Sequence, residues 1–79
     1  MQERTIKYAQ AFGQILQKTR REAGLSQEKL AFKADLDRTH ISLLERGLRI
    51  PSIAVVFFLA NALNTKPHTL IKQTENLVN

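Results

Sequence analysis

The sequence predicts an all-α domain, and three observations support this fold class. Apolar residues recur at three- and four-residue spacings along most of the chain. Side chains that cap helices, such as Ser26 and Asp37, stand directly before two of these segments. Helix-ending residues separate the segments, because Gly24 suits a left-handed terminus and Pro51 blocks a continuing helix. With 79 residues, we expect a single small domain over 1–79.

The first helix is predicted to begin between Thr5 and Ala9 and to run to Ala23, where Gly24 ends it. Gly13 lies inside this helix, where glycine is unfavourable, and its expected use is close packing against another element. The predicted apolar face of the helix consists of Phe12, Ile15, Leu16, Thr19 and Ala23.

Residues 27–46 form two short predicted helices joined by a tight turn. Ala31 lies on the face of the first helix that meets the second, and its small side chain lets the two axes approach closely. Asp35 occupies a turn position expected to need a positive φ. Ile41 and Leu44 attach the second helix to the core. This arrangement is a helix-turn-helix, which presents the outer face of its second helix to the major groove of DNA.

Two further helices are predicted at 53–63 and 67–75, and the first of them is apolar all round. Its core face is expected to contain Ile53, Val56, Leu59, Ala60 and Leu63. Phe58 falls almost opposite that face, so we expect a second buried surface, supplied by a homodimer. Alternatively, Phe58 lies under the N-terminal segment of its own chain. The predicted dimer interface consists of Val55, Phe58, Ala62, Leu70 and Ile71.

The charge distribution favours double-stranded DNA as the partner. The net charge is +5, from 12 basic and 7 acidic residues. Lys29 and Lys33 lie on the first helix of the motif, and Arg38, Arg46 and Arg49 lie in or just after the second. Positive charge is therefore gathered around the proposed reading surface, as nucleic-acid binding requires.

The outward residues of the second motif helix are the candidates for reading bases. Arg38 is the best of them, because a guanidinium can donate to both major-groove acceptors of guanine. Arg46 and Arg49 are expected to contact the DNA backbone. The alternative for any single one of these residues is a solvated helix face. The complete predicted DNA-binding set is Gln27, Arg38, Thr39, His40, Ser42, Leu43, Arg46 and Arg49.

The sequence predicts no catalytic residue, no metal site and no cofactor. His40 and His68, the two histidines, lie on separate predicted helices, and there is no cysteine and no glycine-rich phosphate loop. No small-molecule ligand is expected, because the chain has no room for a separate ligand-binding domain. No stretch approaches the roughly 20 apolar residues that span a bilayer, and no signal segment is evident. We therefore expect a soluble cytoplasmic protein without enzymatic activity.

Residues 12–70 resemble the phage repressor and Cro proteins, the XRE family of helix-turn-helix DNA-binding proteins. The resemblance implies a compact five-helix repressor-like domain and a partly buried ion pair between Arg20 and Glu45. The alternative is that both side chains are solvated surface charges. The resemblance also implies that Gln27, at the start of a helix, grips phosphate. Asp35 departs from the pattern, which usually has glycine there. The matching segments are 12–16, 20–24, 25–27, Leu30-Ala31, Ile41-Ser42, 44–47, Pro51-Ser52, Leu59-Ala60 and Ala62-Leu63.

Within that family, a stand-alone domain with 36–39 reading Leu-Asp-Arg-Thr resembles the controller proteins of restriction–modification systems. The resulting hypothesis is a dimeric transcriptional regulator whose two recognition helices enter successive major grooves of a roughly palindromic operator, about 34 Å apart. The alternative is an interaction module, such as an antitoxin whose exposed apolar helix binds a partner protein. The operator, the target genes and the choice between activation and repression do not follow from the sequence.

Overall fold

The chain folds into five α-helices and contains no β-strand, which confirms the predicted all-α class. The structure is a computed structural model that describes all 79 residues. In chain order the helices are α1 (Glu3–Glu22), α2 (Gln27–Ala34), α3 (Arg38–Glu45), α4 (Ile53–Ala62) and α5 (Pro67–Val78). None of them is both long and apolar enough to cross a membrane.

Serine side chains begin two of these helices. The Ser26 hydroxyl accepts a hydrogen bond from the backbone N–H of Lys29 at 3.1 Å, and the Ser52 hydroxyl accepts from Val55 at the same distance. Each bond satisfies one of the backbone donors that a helix N-terminus leaves unpaired. Asp37 stands at the equivalent position before α3, but its side chain makes no capping hydrogen bond.

The turn between α2 and α3 has the backbone conformation that the sequence predicts. Asp35 has φ 56° and ψ 44°, in the left-handed region. The turn is closed by a hydrogen bond from the Leu36 N–H to the carbonyl of Ala31, at 2.8 Å. A β-branched residue would be strained at Asp35, whereas aspartate enters this region more readily than most residues. The turn therefore holds α2 and α3 at a defined angle.

One core joins all five helices. Ala31 is buried within it, as its place at the α2–α3 crossing requires, and Ile41 and Leu44 of α3 are completely buried. The cluster consists of Phe12, Ile15, Leu16, Leu30, Ala31, Ala34, Ile41, Leu44, Val55, Val56, Leu59, Ala60, Leu63 and Leu70. Because α3 contributes two fully buried anchors, its opposite face is fixed outward.

Gly13 brings α1 against the C-terminal end of α3. A Cβ atom added at Gly13 would lie 2.7 Å from the carbonyl oxygen of Glu45 and would also collide with that of Leu44. Both neighbours are backbone atoms, which cannot move aside as a flexible side chain can. The predicted close packing at Gly13 is therefore present, and it sets the distance between the two helices that carry Arg20 and Glu45.

Two predicted helix boundaries and one predicted core residue are wrong. α1 begins at Glu3, before the predicted start, and the acidic Glu3 in its first turn suits the positive end of the helix dipole. α5 continues past Glu75 to Val78, since no helix-ending residue interrupts it. Ala23 is exposed, because it follows the end of α1 instead of lying on its inner face.

The predicted core face of α4 is correct at Val56, Leu59, Ala60 and Leu63, which are buried, but it is wrong at the N-terminal end of the helix. Ile53, assigned to the core, is 72% exposed, whereas Val55, assigned to the dimer interface, is only 8% exposed. Leu70, another predicted interface residue, is 1% exposed and belongs to the core. α4 contacts α2 and α5, and these neighbours select the buried arc of a helix that is apolar on every side. Val55 and Leu70 are therefore not available to a partner subunit.

Candidate nucleic-acid interface

A buried ion pair connects α1 to the end of α3. The Nε atom of Arg20 lies 2.6 Å from Oε2 of Glu45, and Nη2 donates to Oε1 at 3.0 Å. The two side chains are 10% and 1% exposed. The remaining terminal nitrogen of Arg20 donates to the carbonyl of Leu25 at 2.8 Å. Arg20 thus connects α1, the α1–α2 loop and α3 through hydrogen bonds with little freedom of geometry.

The hydrogen bond that Arg20 donates to Glu45 raises the pKa of Arg20 above its ordinary value. Desolvation of the guanidinium opposes this shift, and the attraction of the Glu45 charge adds to it. A buried pair of this kind often adds little net stability, but removing one partner leaves an uncompensated buried charge. Its structural effect is to hold the C-terminal end of α3 in one position.

A polar network extends from this pair to the surface. The side-chain amide nitrogen of Gln27 donates to Oε1 of Glu45 at 3.0 Å, and that of Gln17 approaches the same oxygen at 3.5 Å. Arg38 in turn donates from Nη1 to the amide oxygen of Gln27 at 3.3 Å. Neither of these two contacts of Gln27 was predicted from the sequence. The feature that pointed to the contact between Gln27 and Arg38 was their position, because they are the first residues of α2 and α3.

The residues predicted to contact DNA differ in how far they are exposed. Arg38 and Thr39 on α3 are exposed, as is Arg46 at its C-terminal end. The others on α3, His40, Ser42 and Leu43, are half-buried. α3 therefore presents a polar, positively charged surface whose most accessible side chains lie at its two ends.

The loop after α3 carries a further cation beside this surface. Gly47 is buried at a φ of 71°, and a Cβ there would lie 2.9 Å from the Cα of Gln10. This close approach fixes the chain against α1, with Arg49 exposed two residues later. Lys29 and Lys33 are exposed on α2. Five cations therefore lie on or next to the two helices of the motif.

The predicted dimer residues lie on another part of the surface, and only some of them are accessible. Phe58 is 50% exposed, Ile71 is also exposed, and Ala62 is half-buried. The depression beside Phe58 is lined by α4, the α4–α5 loop and the start of α5, without any N-terminal residue. Phe58 therefore does not lie under the N-terminal segment of its own chain. That segment instead contributes Tyr8 to a separate groove.

The exposed apolar residues of α4 are Ile53, Ala54, Phe57 and Phe58, and we call them the outer face of α4. Beside it lies a largely apolar groove of about 440 Å³. Phe57 is as exposed as Phe58, although it was not predicted from the sequence as part of this surface. The groove is lined by Thr5, Tyr8, Ala9, Phe12, Ile50, Pro51, Ile53, Val56, Ile71 and Thr74.

The two histidines lie on different helices, His40 on α3 and His68 on α5. No group of three or more His, Asp or Glu side chains is arranged to hold a metal ion. The polar side chains that do come together are those of the Arg20–Glu45 network. Their hydrogen bonds satisfy one another, and no buried side-chain nitrogen or oxygen lacks a partner. This network therefore orients the surface of α3.

Comparison with known proteins agrees with this architecture. The family model HTH_3, described as helix-turn-helix, matches residues 16–70. Control protein C.BamHI of Bacillus amyloliquefaciens is 42% identical over 64 residues, which cover 80% of this chain and 79% of that protein. The crystal structure of the restriction-modification controller protein C.AhdI from Aeromonas hydrophila matches with 44% identity and a TM-score of 0.77, over 78% of this chain and 94% of that one.

A second solved controller protein covers more of the chain at lower identity. The wild-type restriction-modification controller protein C.Esp1396I matches with 28% identity and a TM-score of 0.81. The match covers 90% of this chain and 93% of that chain. The similarity therefore includes nearly the whole fold and is not confined to the two helices of the motif.

Proposed function

Because the chain belongs to the helix-turn-helix family HTH_3 and is a DNA-binding transcription regulator, we propose that it acts as a homodimer on a roughly palindromic operator. The observation that carries this proposal is the outward face of α3, which begins with the exposed Arg38 and is held by the buried pair of Arg20 and Glu45. Two such faces related by a two-fold axis would enter successive major grooves about 34 Å apart.

Arg38 is the proposed principal base contact. It is the first residue of α3, and recognition helices contact base edges near their N-termini. Its guanidinium can donate to O6 and N7 of guanine together. Thr39 is exposed beside it and can offer a methyl group to thymine or a hydroxyl to phosphate. Ser42, His40 and Leu43 are half-buried, so they would contribute only where the DNA approaches closely.

Gln27, Arg46 and Arg49 are the proposed backbone contacts. Gln27 begins α2, whose first N–H groups and positive dipole end favour a phosphate. Arg46 and Arg49 are exposed at the exit from α3, where they can neutralise phosphates on either side of the groove. These contacts would position the protein without reading sequence, and they would make affinity fall as the salt concentration rises.

The outer face of α4, together with Ala62 and Ile71, forms the proposed dimer interface. Ile53, Phe57 and Phe58 are each at least half exposed, and large contiguous apolar surfaces on soluble chains commonly mark interaction sites. This interface keeps Phe58, Ala62 and Ile71 from the sequence prediction. Two of the predicted interface residues, Val55 and Leu70, are buried in the core, and Ile53 and Phe57 take their place in the interface.

The relatives suggest the regulated genes. Two controller proteins are more than 40% identical to this chain over most of its length, so we propose that it controls a restriction–modification operon in the cytoplasm. The proposal needs no catalysis, cofactor or small ligand. Control would come from protein concentration, which sets both dimerisation and operator occupancy. A second candidate, a module that binds a partner protein, is favoured by the same exposed outer face of α4.

The function is tested by selecting sequences from random DNA duplexes at two salt concentrations. The proposal predicts enrichment of a palindrome and an affinity that falls steeply with salt. Salt-sensitive binding without enrichment would contradict sequence-specific regulation and leave only non-specific binding.

The oligomeric state is tested by sedimentation of the Phe58→Glu variant. A charge buried at the centre of the proposed interface should leave a monomer. Phe32→Glu is the matched control, because Phe32 is exposed on α2, away from the outer face of α4, and this variant should remain dimeric. If the wild-type chain sediments as a monomer, the homodimer is excluded. The outer face of α4 would then be the surface that binds a different partner protein.

A further inference from the structure

The side-chain amide of Gln27 lies between a carboxylate and a guanidinium. Its nitrogen is 3.0 Å from Oε1 of Glu45, and its oxygen is 3.3 Å from Nη1 of Arg38. A carboxylate only accepts hydrogen bonds and a guanidinium only donates them. Both neighbours therefore require the same orientation of the amide, with NH₂ towards Glu45 and the oxygen towards Arg38.

The Glu45 end of this connection is fixed. The Glu45 side chain is 1% exposed, and Arg20 holds both of its carboxylate oxygens. By contrast, Arg38 is an exposed residue at the first position of α3. A free arginine side chain samples many rotamers, and holding it in one of them costs conformational entropy when DNA binds. A partner that restrains Arg38 before binding reduces this cost.

We propose that the buried Glu45 carboxylate, acting through the Gln27 amide, orients Arg38 and thereby strengthens its preference for one base. Gln27 is then a positioning residue for base recognition in addition to any contact it makes with phosphate. This inference rests on the proposed contact between Arg38 and a base. It assigns to the buried Arg20–Glu45 pair an effect on sequence preference as well as on the position of α3.

The hydrogen-bond capacity of each group allows this arrangement in the DNA complex. Nη1 of Arg38 uses one hydrogen for Gln27 and keeps a second, and Nη2 keeps two. Arg38 can therefore still donate to both major-groove acceptors of a guanine. The Gln27 nitrogen uses one hydrogen for Glu45 and keeps one for a phosphate oxygen. Positioning and phosphate contact are thus compatible in the same side chain.

The test compares Gln27→Met with Gln17→Met in the full-length protein. Methionine keeps the length of the side chain and removes its hydrogen bonds. Gln17 also approaches Oε1 of Glu45, at 3.5 Å, but makes no hydrogen bond to Arg38. It is therefore a matched control for loss of an amide at the same carboxylate. The measured quantity is the ratio of affinities for operators that differ at the single base pair assigned to Arg38.

Gln27→Met should lower this ratio by about threefold to tenfold, the range that one net hydrogen bond supplies. Gln17→Met should leave it unchanged. In an Arg38→Ala background, Gln27→Met should have no further effect on the ratio, because the residue that it orients is absent. A change in fold alone would not produce a loss confined to one base position and dependent on Arg38.

Two results would overturn the inference in distinguishable ways. If Arg38→Ala lowers the ratio and Gln27→Met lowers affinity equally for every operator, Gln27 only grips phosphate and the coupling is absent. If Arg38→Ala itself leaves the ratio unchanged at every position, Arg38 does not read a base. In that case the proposed base contact fails, and the coupling fails with it.

Discussion

The helix-turn-helix and α4 show how differently two parts of one small chain encode their structure. In α2 and α3 the buried positions are apolar, except for Glu45, and the exposed ones are mostly polar, so the periodicity of the sequence identifies each face. In α4 almost every position is apolar, and the same periodicity favours no face. Consequently, the anchors Ile41 and Leu44 of α3 were predicted as observed, whereas Ile53 and Val55 of α4 were interchanged. Sequence pattern identifies a buried face only where a polar face contrasts with it.

The largest effect should come from breaking the buried pair that holds the motif. Arg20→Ala leaves the Glu45 carboxylate buried without its partner, so the free energy of unfolding should fall by about 3–5 kcal/mol. Arg21→Ala is the matched control, because Arg21 is an exposed neighbour on the same helix, and it should change stability by less than about 0.5 kcal/mol. Urea denaturation measures both. Equal effects of the two variants would mean that the pair is not buried in solution.

The orientation of α4 should produce the next largest effect. Leu59→Ala removes a completely buried side chain and should cost about 2–5 kcal/mol. Ile53→Ala on the exposed arc should cost less than about 0.5 kcal/mol. Both changes belong in the Phe58→Glu background, which removes the proposed dimer contact and leaves unfolding of the single chain. A loss for Ile53→Ala as large as that for Leu59→Ala would place Ile53 in the core, as the sequence predicted.

Base recognition by α3 should show an intermediate effect. Arg38→Ala should reduce discrimination at one base position of each half-site by about 1–3 kcal/mol. Lys29→Ala, which removes an exposed cation from α2, should instead weaken binding to all sequences alike and reduce the salt dependence. Competition binding with operators that differ at single bases distinguishes the effects of these two variants. A uniform loss for Arg38→Ala would place its guanidinium on the DNA backbone.

The smallest effect is expected at the turn between α2 and α3. Asp35→Gly relieves the strain of a left-handed residue that has a Cβ atom, but it also increases the entropy of the unfolded chain. The net result should be stabilisation by about 0.5 kcal/mol. Asp37→Gly is the control, since Asp37 is extended at φ −77° and has no such strain to lose. In thermal unfolding, the Tm of Asp35→Gly should be higher than that of the wild type. A lower Tm would mean that the Asp35 carboxylate stabilises the turn.

The sequence by itself determined the elements whose causes are local. Ser26 and Ser52 cap the helices that follow them, and Asp35 adopts the predicted left-handed turn. The three- and four-residue spacing of apolar residues identified the buried faces of α2 and α3, because a few consecutive residues are enough to show which side of a helix is apolar and which is polar. The basic side chains around α3 also follow from the sequence once that face is known.

Only the tertiary structure decided what depends on distant residues. The neighbours of α4 selected its buried arc and placed Val55 and Leu70 in the core. The approach of α1 to α3 at Gly13 joined Arg20 and Glu45, residues for which the sequence offered only a resemblance to known proteins. Contact between Gln27, Glu45 and Arg38 likewise requires three helices to be packed in their final positions. Local pattern carries no information on these distances, because packing of whole helices sets them.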